Sequence, residues 1–236
     1  MRIAAVADVH VGIDSADLLR PGLAHVSADA DVLLIAGDLT QVGAPEEAKV
    51  LAGELEGVEI PVLAVLGNHD HHSDAPHVVR EVLESVGVVV LDGDTVTLDV
   101  GGQRLGVVGD TGFGGGFAGA SGSAFGEPEM KHFMRRTERS AERIDHGLRA
   151  LDADVRVVLL HYSPVKDTVV GERAEIFPFL GSYLLAHAVD DVGADLVVHG
   201  HAHAGSEQGV TPGGVRVRNV ALPLIRRPYR VFHLDE

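Results

Sequence analysis

Five short apolar runs in this chain end abruptly in aspartate, asparagine or histidine, and this pattern constrains the fold more than any other feature. Residues 3–7 lead into Asp8-Val9-His10, and residues 32–36 into Gly37-Asp38-Leu39-Thr40. Residues 60–66 lead into Gly67-Asn68-His69-Asp70, residues 155–160 into His161, and residues 196–198 into His199-Gly200-His201-Ala202-His203. Apolar runs of this length bounded by turn residues read as strands buried on both faces, which is the signature of parallel sheets covered by helices. Ligands of open α/β sheets gather at the C-terminal ends of such strands.

The segments between the runs supply the crossovers. Residues 15–27 read as a helix bent at Pro21, with Asp14 or Ser15 as its N-cap. Pro45 followed by Glu46 and Glu47 starts a helix running to residue 56, and another spans residues 76–86. Right-handed βαβ connections follow. The texture then changes to short strands at 88–91, 95–100 and 104–108, separated by Asp-Gly and Gly-Gly turns, so the sheet system becomes mixed. Residues 111–126 hold seven glycines and no periodicity, which predicts a long mobile loop beside the site. They lack the Lys-Ser/Thr pair of a P-loop.

From 128 to 151, Met130, Phe133, Met134, Ala141, Ile144, Leu148 and Leu151 recur at spacings of three and four, an amphipathic helix. Its polar side carries Arg135, Arg136, Arg139 and Arg143, expected to solvate a face and pair with Glu138 and Glu142. A helix at 182–190 and strands at 215–220 and 230–234 complete the pattern. No internal repeat is visible.

At 236 residues with 45% hydrophobic content, the chain can bury a sizeable core as a single domain spanning 1–236. The net charge is −16, from 35 acidic and 19 basic residues, with only Lys49, Lys131 and Lys166 as lysines. Such a surface repels phosphate backbones at long range and argues against nucleic acid as partner. Cysteine is absent, so disulfides and thiolate metal sites are excluded. Neither a signal-peptide pattern nor an apolar stretch of membrane-spanning length is found, and a cytoplasmic location away from membranes is the expectation.

The chemistry lies in the strand ends. Residues two apart on an extended segment share one side of the backbone, so Asp8 and His10 can grip one ion, and His201 and His203 one ion or two neighbouring ones. A single histidine at a strand end is ordinarily a hydrogen-bonded or surface residue; five coincident strand ends are not explained that way. Oxygen and imidazole donors without sulfur suit Mn, Fe or Zn, and they outnumber what one ion needs, which indicates two divalent metal ions. His199 is expected to pack, and His71 and His72 stand as lesser candidates near the rim.

The series D-x-H, G-D, G-N-H-D, H and G-H-x-H, from Asp8 to His203, resembles the calcineurin-like metallophosphoesterases. The resemblance implies an α/β fold, a four-layer α-β-β-α sandwich of two mixed sheets with a dimetal site at the C-terminal strand ends. It implies Asp8, His10, Asp38 and His203 on one ion, and Asp38, Asn68, His161 and His201 on the other, with Asp38 bridging. It also implies that His69, not a ligand, protonates the leaving oxygen or steadies the transition state. Some relatives carry an acid three residues after the bridging aspartate to orient that histidine; this chain has Gln41, so Asp70 or a backbone carbonyl would have to substitute.

Two divalent ions balanced by Asp8, Asp38 and a bridging hydroxide leave a site of about +1, which selects anions. A phosphate ester across ions roughly 3.5–4 Å apart is placed for in-line attack by the hydroxide. The arginines of the family's protein phosphatases and the added capping region and basic surface of its nucleases are missing here. The expected substrates are small phosphodiesters or phosphomonoesters of nucleotide or cyclic-nucleotide type. The competing reading is a non-catalytic scaffold of the same fold, for which lost ligands would be expected.

Overall fold

The strands that precede the polar residues are buried on both faces, and that double burial builds the layers. A computed structural model describes residues 1–234 of the chain. The first half runs β1 (Arg2–Val6), α1 (Arg20–Leu23), α2 (Val26–Asp29), β2 (Val32–Ala36), α3 (Pro45–Glu54), β3 (Val62–Val65), α4 (Pro76–Glu84) and β4 (Val89–Leu91). The second half runs β5 (Asp94–Val100), β6 (Gln103–Asp110), the short β7 (Gly116–Phe117) and β8 (Ala120–Ser121), then α5 (Pro128–Ala150) and β9 (Val155–Leu160). It continues through α6 (Phe177–Leu180), α7 (Tyr183–Asp190), β10 (Leu196–His199), β11 (Gln208–Val210), β12 (Arg216–Asn219), α8 (Leu222–Ile225) and β13 (Arg230–His233).

Two mixed sheets result. One has the order β13-β1-β2-β3-β4 and the other β11-β12-β10-β9-β6-β5. β1 to β4 are mutually parallel, as are β6, β9, β10 and β12. β13, β5 and β11 pair antiparallel at the edges.

Alternation along β9 defines the layers. Val157 and Leu159 pack with β1, β2 and β3 in one core, which also takes Leu51 of α3 and Val79 and Leu83 of α4. Val158 and Leu160, on the opposite face, pack with Ile144 and Leu148 of α5 and Leu185 and Val189 of α7. The order is therefore helix, sheet, sheet, helix, the four-layer sandwich expected from the motifs. Each fully buried Leu or Ile contributes about 1.5–3 kcal/mol, so the sheet-to-sheet core fixes where the strand ends meet. Among the described residues, no helix is long and apolar enough to cross a membrane.

Two local expectations need correction. Residues 15–27 form turns and the one-turn helices α1 and α2 in place of one bent helix. Ser15 caps nothing there; its Oγ accepts from Gly12 N at 2.9 Å. Pro21 and Gly22 follow within a few residues and prevent propagation. The glycine-rich segment is also not a free loop in its first half. Gly114 to Phe117 are buried, with Gly115 N donating to Pro178 O at 2.6 Å and Gly116 N to Gly181 O at 2.9 Å. Thr137 Oγ1 of α5 donates to Gly114 O.

Candidate metal centre

The parallel strands of both sheets point their C-terminal ends to one edge, and the polar residues gather there. Asp8 follows β1, Asp38 follows β2, Asn68 follows β3, His161 follows β9, and His201 and His203 follow β10. Donor atoms of Asp8, His10, Asp38 and His203 lie within 4.8 Å of one another, and so do those of Asp38, His161 and His201. Asp38 belongs to both groups. His203 Nε2 is 2.9 Å from Asp8 Oδ1, His10 Nε2 is 3.8 Å from Asp38 Oδ2, and His161 Nε2 is 3.3 Å from Asp38 Oδ1. Asn68 Oδ1 lies 3.0 Å from His161 Nε2, which brings it to the second group.

The residue set fits divalent ions on chemical grounds. Two carboxylates, Asp8 and Asp38, are 2% and 1% exposed, face imidazoles and, among the described residues, form no ion pair with lysine or arginine. Buried carboxylates without cations are costly unless paired or metal-bound. Burial alone would raise the Asp8 carboxyl, but the His203 hydrogen bond and nearby imidazoles outweigh it and hold it below the usual range. Burial depresses His10 and takes His201 down to about 3, which keeps these rings neutral, the form that binds metals.

Second contacts orient the rings. His161 Nδ1–H donates to Ala36 O at 2.9 Å, leaving Nε2 for Asp38 and Asn68. His201 Nε2–H donates to Phe179 O at 3.2 Å, which leaves its Nδ1 unprotonated. Fixing the tautomer through the other ring nitrogen is the usual means of presenting a ligand atom.

The local backbone differs from the extended geometry expected for D-x-H. Asp8 and His10 have φ of 56° and 43°, Asp38 has 49° and His201 has 69°. β1 ends at Val6, and the chain curls in left-handed steps that swing successive side chains toward one point. Left-handed backbone at a non-glycine residue is uncommon and gathers at functional sites. Glycines make room beside these residues. A Cβ on Gly67 would overlap the Asp38 carboxylate, and one on Gly200 the Asp8 carboxylate.

Asp70 ties the loops together, a role the sequence reading missed. Fully buried, it accepts from Leu39 N at 3.1 Å, Thr40 N at 2.8 Å, Thr40 Oγ1 at 2.6 Å and Gly67 N at 2.8 Å. An aspartate two residues beyond Asn68, followed across the fold by Thr40, was the only available signal. His69 is oriented by a different group: its Nδ1–H donates to Gln41 O at 2.7 Å, while Nε2 lies 3.9 Å from Asp38 Oδ2. Its ring stands edge-on to His10, centroids 4.5 Å apart.

The lesser candidates separate. His199 is buried and donates from Nδ1 to Gly200 O, with Nε2 2.8 Å from Thr168 Oγ1; burial takes it down to about 4, and it packs as expected. Asn219 donates to Ala202 O at 2.8 Å and so braces the turn between His201 and His203 from outside the donor groups. His71 lies partly buried at the rim and His72 is exposed.

The profile of the calcineurin-like phosphoesterases matches residues 1–205. No curated protein matches in sequence. Among solved structures, the phosphopantetheinyl hydrolase of Mycobacterium tuberculosis is similar at 17% identity and a TM-score of 0.68, with 99% of this chain and 96% of that one covered. A putative 5'-nucleotidase from Staphylococcus aureus aligns at 17% identity and 0.59, covering 92% of this chain and 48% of that one. A protein of Thermus thermophilus aligns at 18% identity and 0.55, covering 99% of each. At these identities the likeness is one of fold.

Proposed function

Because the chain belongs to the calcineurin-like phosphoesterase family, we propose that it acts as one catalytic domain hydrolysing small phosphodiesters or phosphomonoesters, with nucleotides and cyclic nucleotides the first substrates to try. The observation that carries this reading is the pair of donor groups joined through Asp38. Asp8, His10, Asp38 and His203 would hold one divalent ion, and Asp38, Asn68, His161 and His201 the other, with Mn, Fe or Zn all suited to the donors. Ions bound there supply Lewis acidity, activating water near neutral pH and neutralising charge on the phosphoryl oxygens.

The chain's own residues do the rest. His69 holds a proton on Nδ1 for the Gln41 carbonyl and turns Nε2 toward the centre. Protonated there, Nε2 gives its proton to the departing oxygen, a role suited to imidazole near neutral pH. Asp70 keeps the loops bearing Asp38 and Asn68 in fixed relation through four accepted hydrogen bonds, so that little reorganisation is needed as the ester binds. Elemental analysis of the purified protein, with a panel of phosphomonoesters and diesters, tests the reading. About two ions per chain and turnover of some member are expected. A metal-replete protein inert to the whole panel would favour the scaffold.

A further inference from the structure

A cavity of about 380 Å³ opens where α4 and α5 flank the ends of β4 and β6. It adjoins the donor groups: Leu66 and His71, on its wall, lie on either side of Asn68, and Thr111, also on the wall, accepts from His161 N through its carbonyl at 3.0 Å. Three arginines line it, in a protein of net charge −16. Two are committed to acids. Arg80 pairs with Glu84 at 2.7 Å, and Arg143 with Asp92 at 3.1 Å and Asp110 at 2.8 Å.

Arg136 is different. Among the described residues no carboxylate lies within ion-pair distance of it, and its guanidinium stands 4.3 Å over the Phe113 ring. Phe113 is itself held by Phe133 and Tyr162, at centroid distances of 5.0 and 5.5 Å. Stacking on an aromatic face fixes the guanidinium plane and leaves its fork of N–H donors unused. Arg136 and His71 both line the cavity. On the floor, the buried Asp110 Oδ2 meets Arg143 Nη2 at 2.8 Å without hydrogen-bond alignment and has no hydrogen-bond partner, although Oδ1 accepts from Ser140 Oγ and Gly112 N. The cavity thus offers a free, oriented cation to one ligand.

Resting on the phosphoesterase reading, we infer that this cavity receives the part of the substrate beyond the scissile phosphate, and that Arg136 binds a second anionic group there. The substrate class is a phosphoester bearing a second phosphate or a carboxylate. Arg136 is a specificity residue, remote from the reacting atoms.

The test is calorimetric and uses the metal-loaded enzyme. Alkylphosphonates, α,ω-bisphosphonates and ω-phosphonocarboxylates of matched chain length are titrated into wild type, Arg136→Ala and Arg136→Lys. At one chain length a dianchored compound should bind roughly 10-fold or more tighter than its alkylphosphonate, as a charge-assisted bidentate contact would give. Arg136→Ala should abolish that advantage and leave alkylphosphonate affinity and metal content unchanged, whereas Arg136→Lys should retain part of it. The bisphosphonate and carboxylate arms tell a second phosphate from a carboxylate. No advantage at any length, or one that survives Arg136→Ala, overturns the inference. Failure of the ester panel would overturn the phosphoesterase reading instead, and these binding ratios decide on Arg136 regardless.

Discussion

The two sheets furnish the centre in different ways. The first delivers Asp8, His10, Asp38 and Asn68 on curled loops, three of the four in left-handed backbone, with the Asp38 and Asn68 loops lashed together by the buried Asp70. The second delivers His161 directly off β9, its ring oriented by a bond from Nδ1 to the Ala36 carbonyl of the first sheet. His201, itself in left-handed backbone, and His203 flank Ala202, whose carbonyl Asn219 holds. One side places carboxylates by constraining the main chain; the other places imidazoles by fixing their tautomers. Buried negative charge demands the stiffer mounting, because displacing it costs more than displacing a neutral ring.

The largest test of that contrast is Asp38→Asn, which removes the group both sides share. Binding of both ions should collapse and turnover with it; elemental analysis showing two ions and full activity would refute the assignment. Next comes the lashing. Asp70→Ala leaves three buried N–H groups without acceptors and should cost about 4 kcal/mol or more, whereas Thr168→Val, which strips one partner from buried His199 on the second sheet, should cost about 1–3 kcal/mol. Equal costs in denaturant titrations would mean the two mountings do not differ.

His69→Ala probes the only candidate catalyst outside the donor groups. Metal content should stay near two ions while turnover falls by about 10²- to 10⁴-fold. The loss should be far larger for alkyl esters than for nitrophenyl esters, whose leaving group departs without protonation. Equal losses would assign positioning work to the ring. The smallest effect is expected from Gln41→Ala. The orienting contact comes from the Gln41 main chain, so kcat should stay within about twofold; a drop approaching that of His69→Ala would move the orienting role to the side chain.

The layers were legible because double burial leaves an unbroken apolar run, as in residues 32–36 and 157–160, and polar residues at the run's end have nowhere to go but the sheet edge. Left-handed backbone at Asp8, His10, Asp38 and His201 was not legible, since no residue type there demands it. Glycines mislead in the opposite direction. The segment 111–126 reads as mobile for want of side chains, yet that want is what lets Gly115 and Gly116 lie against the main chain of residues 178 and 181. Periodicity likewise suggested Glu138 and Glu142 as partners for the α5 arginines. Arg143 reaches instead to Asp92 and Asp110, and Arg136 meets no acid among the described residues, because pairings across the fold leave no trace in helical spacing.

The left-handed residues carry an evolutionary implication. Each costs on the order of 1 kcal/mol that glycine at the same position would not, so Asp8, His10, Asp38 and His201 oppose the stability of the chain that bears them. A copy released from the need to bind metal could exchange any of them for glycine and recover that backbone cost, set at positions 8 and 38 against the hydrogen bonds the carboxylates accept from His201 N and His69 N. In an alignment of descendants, glycine at position 8, 10, 38 or 201 would mark a lineage that had kept the fold and abandoned the chemistry.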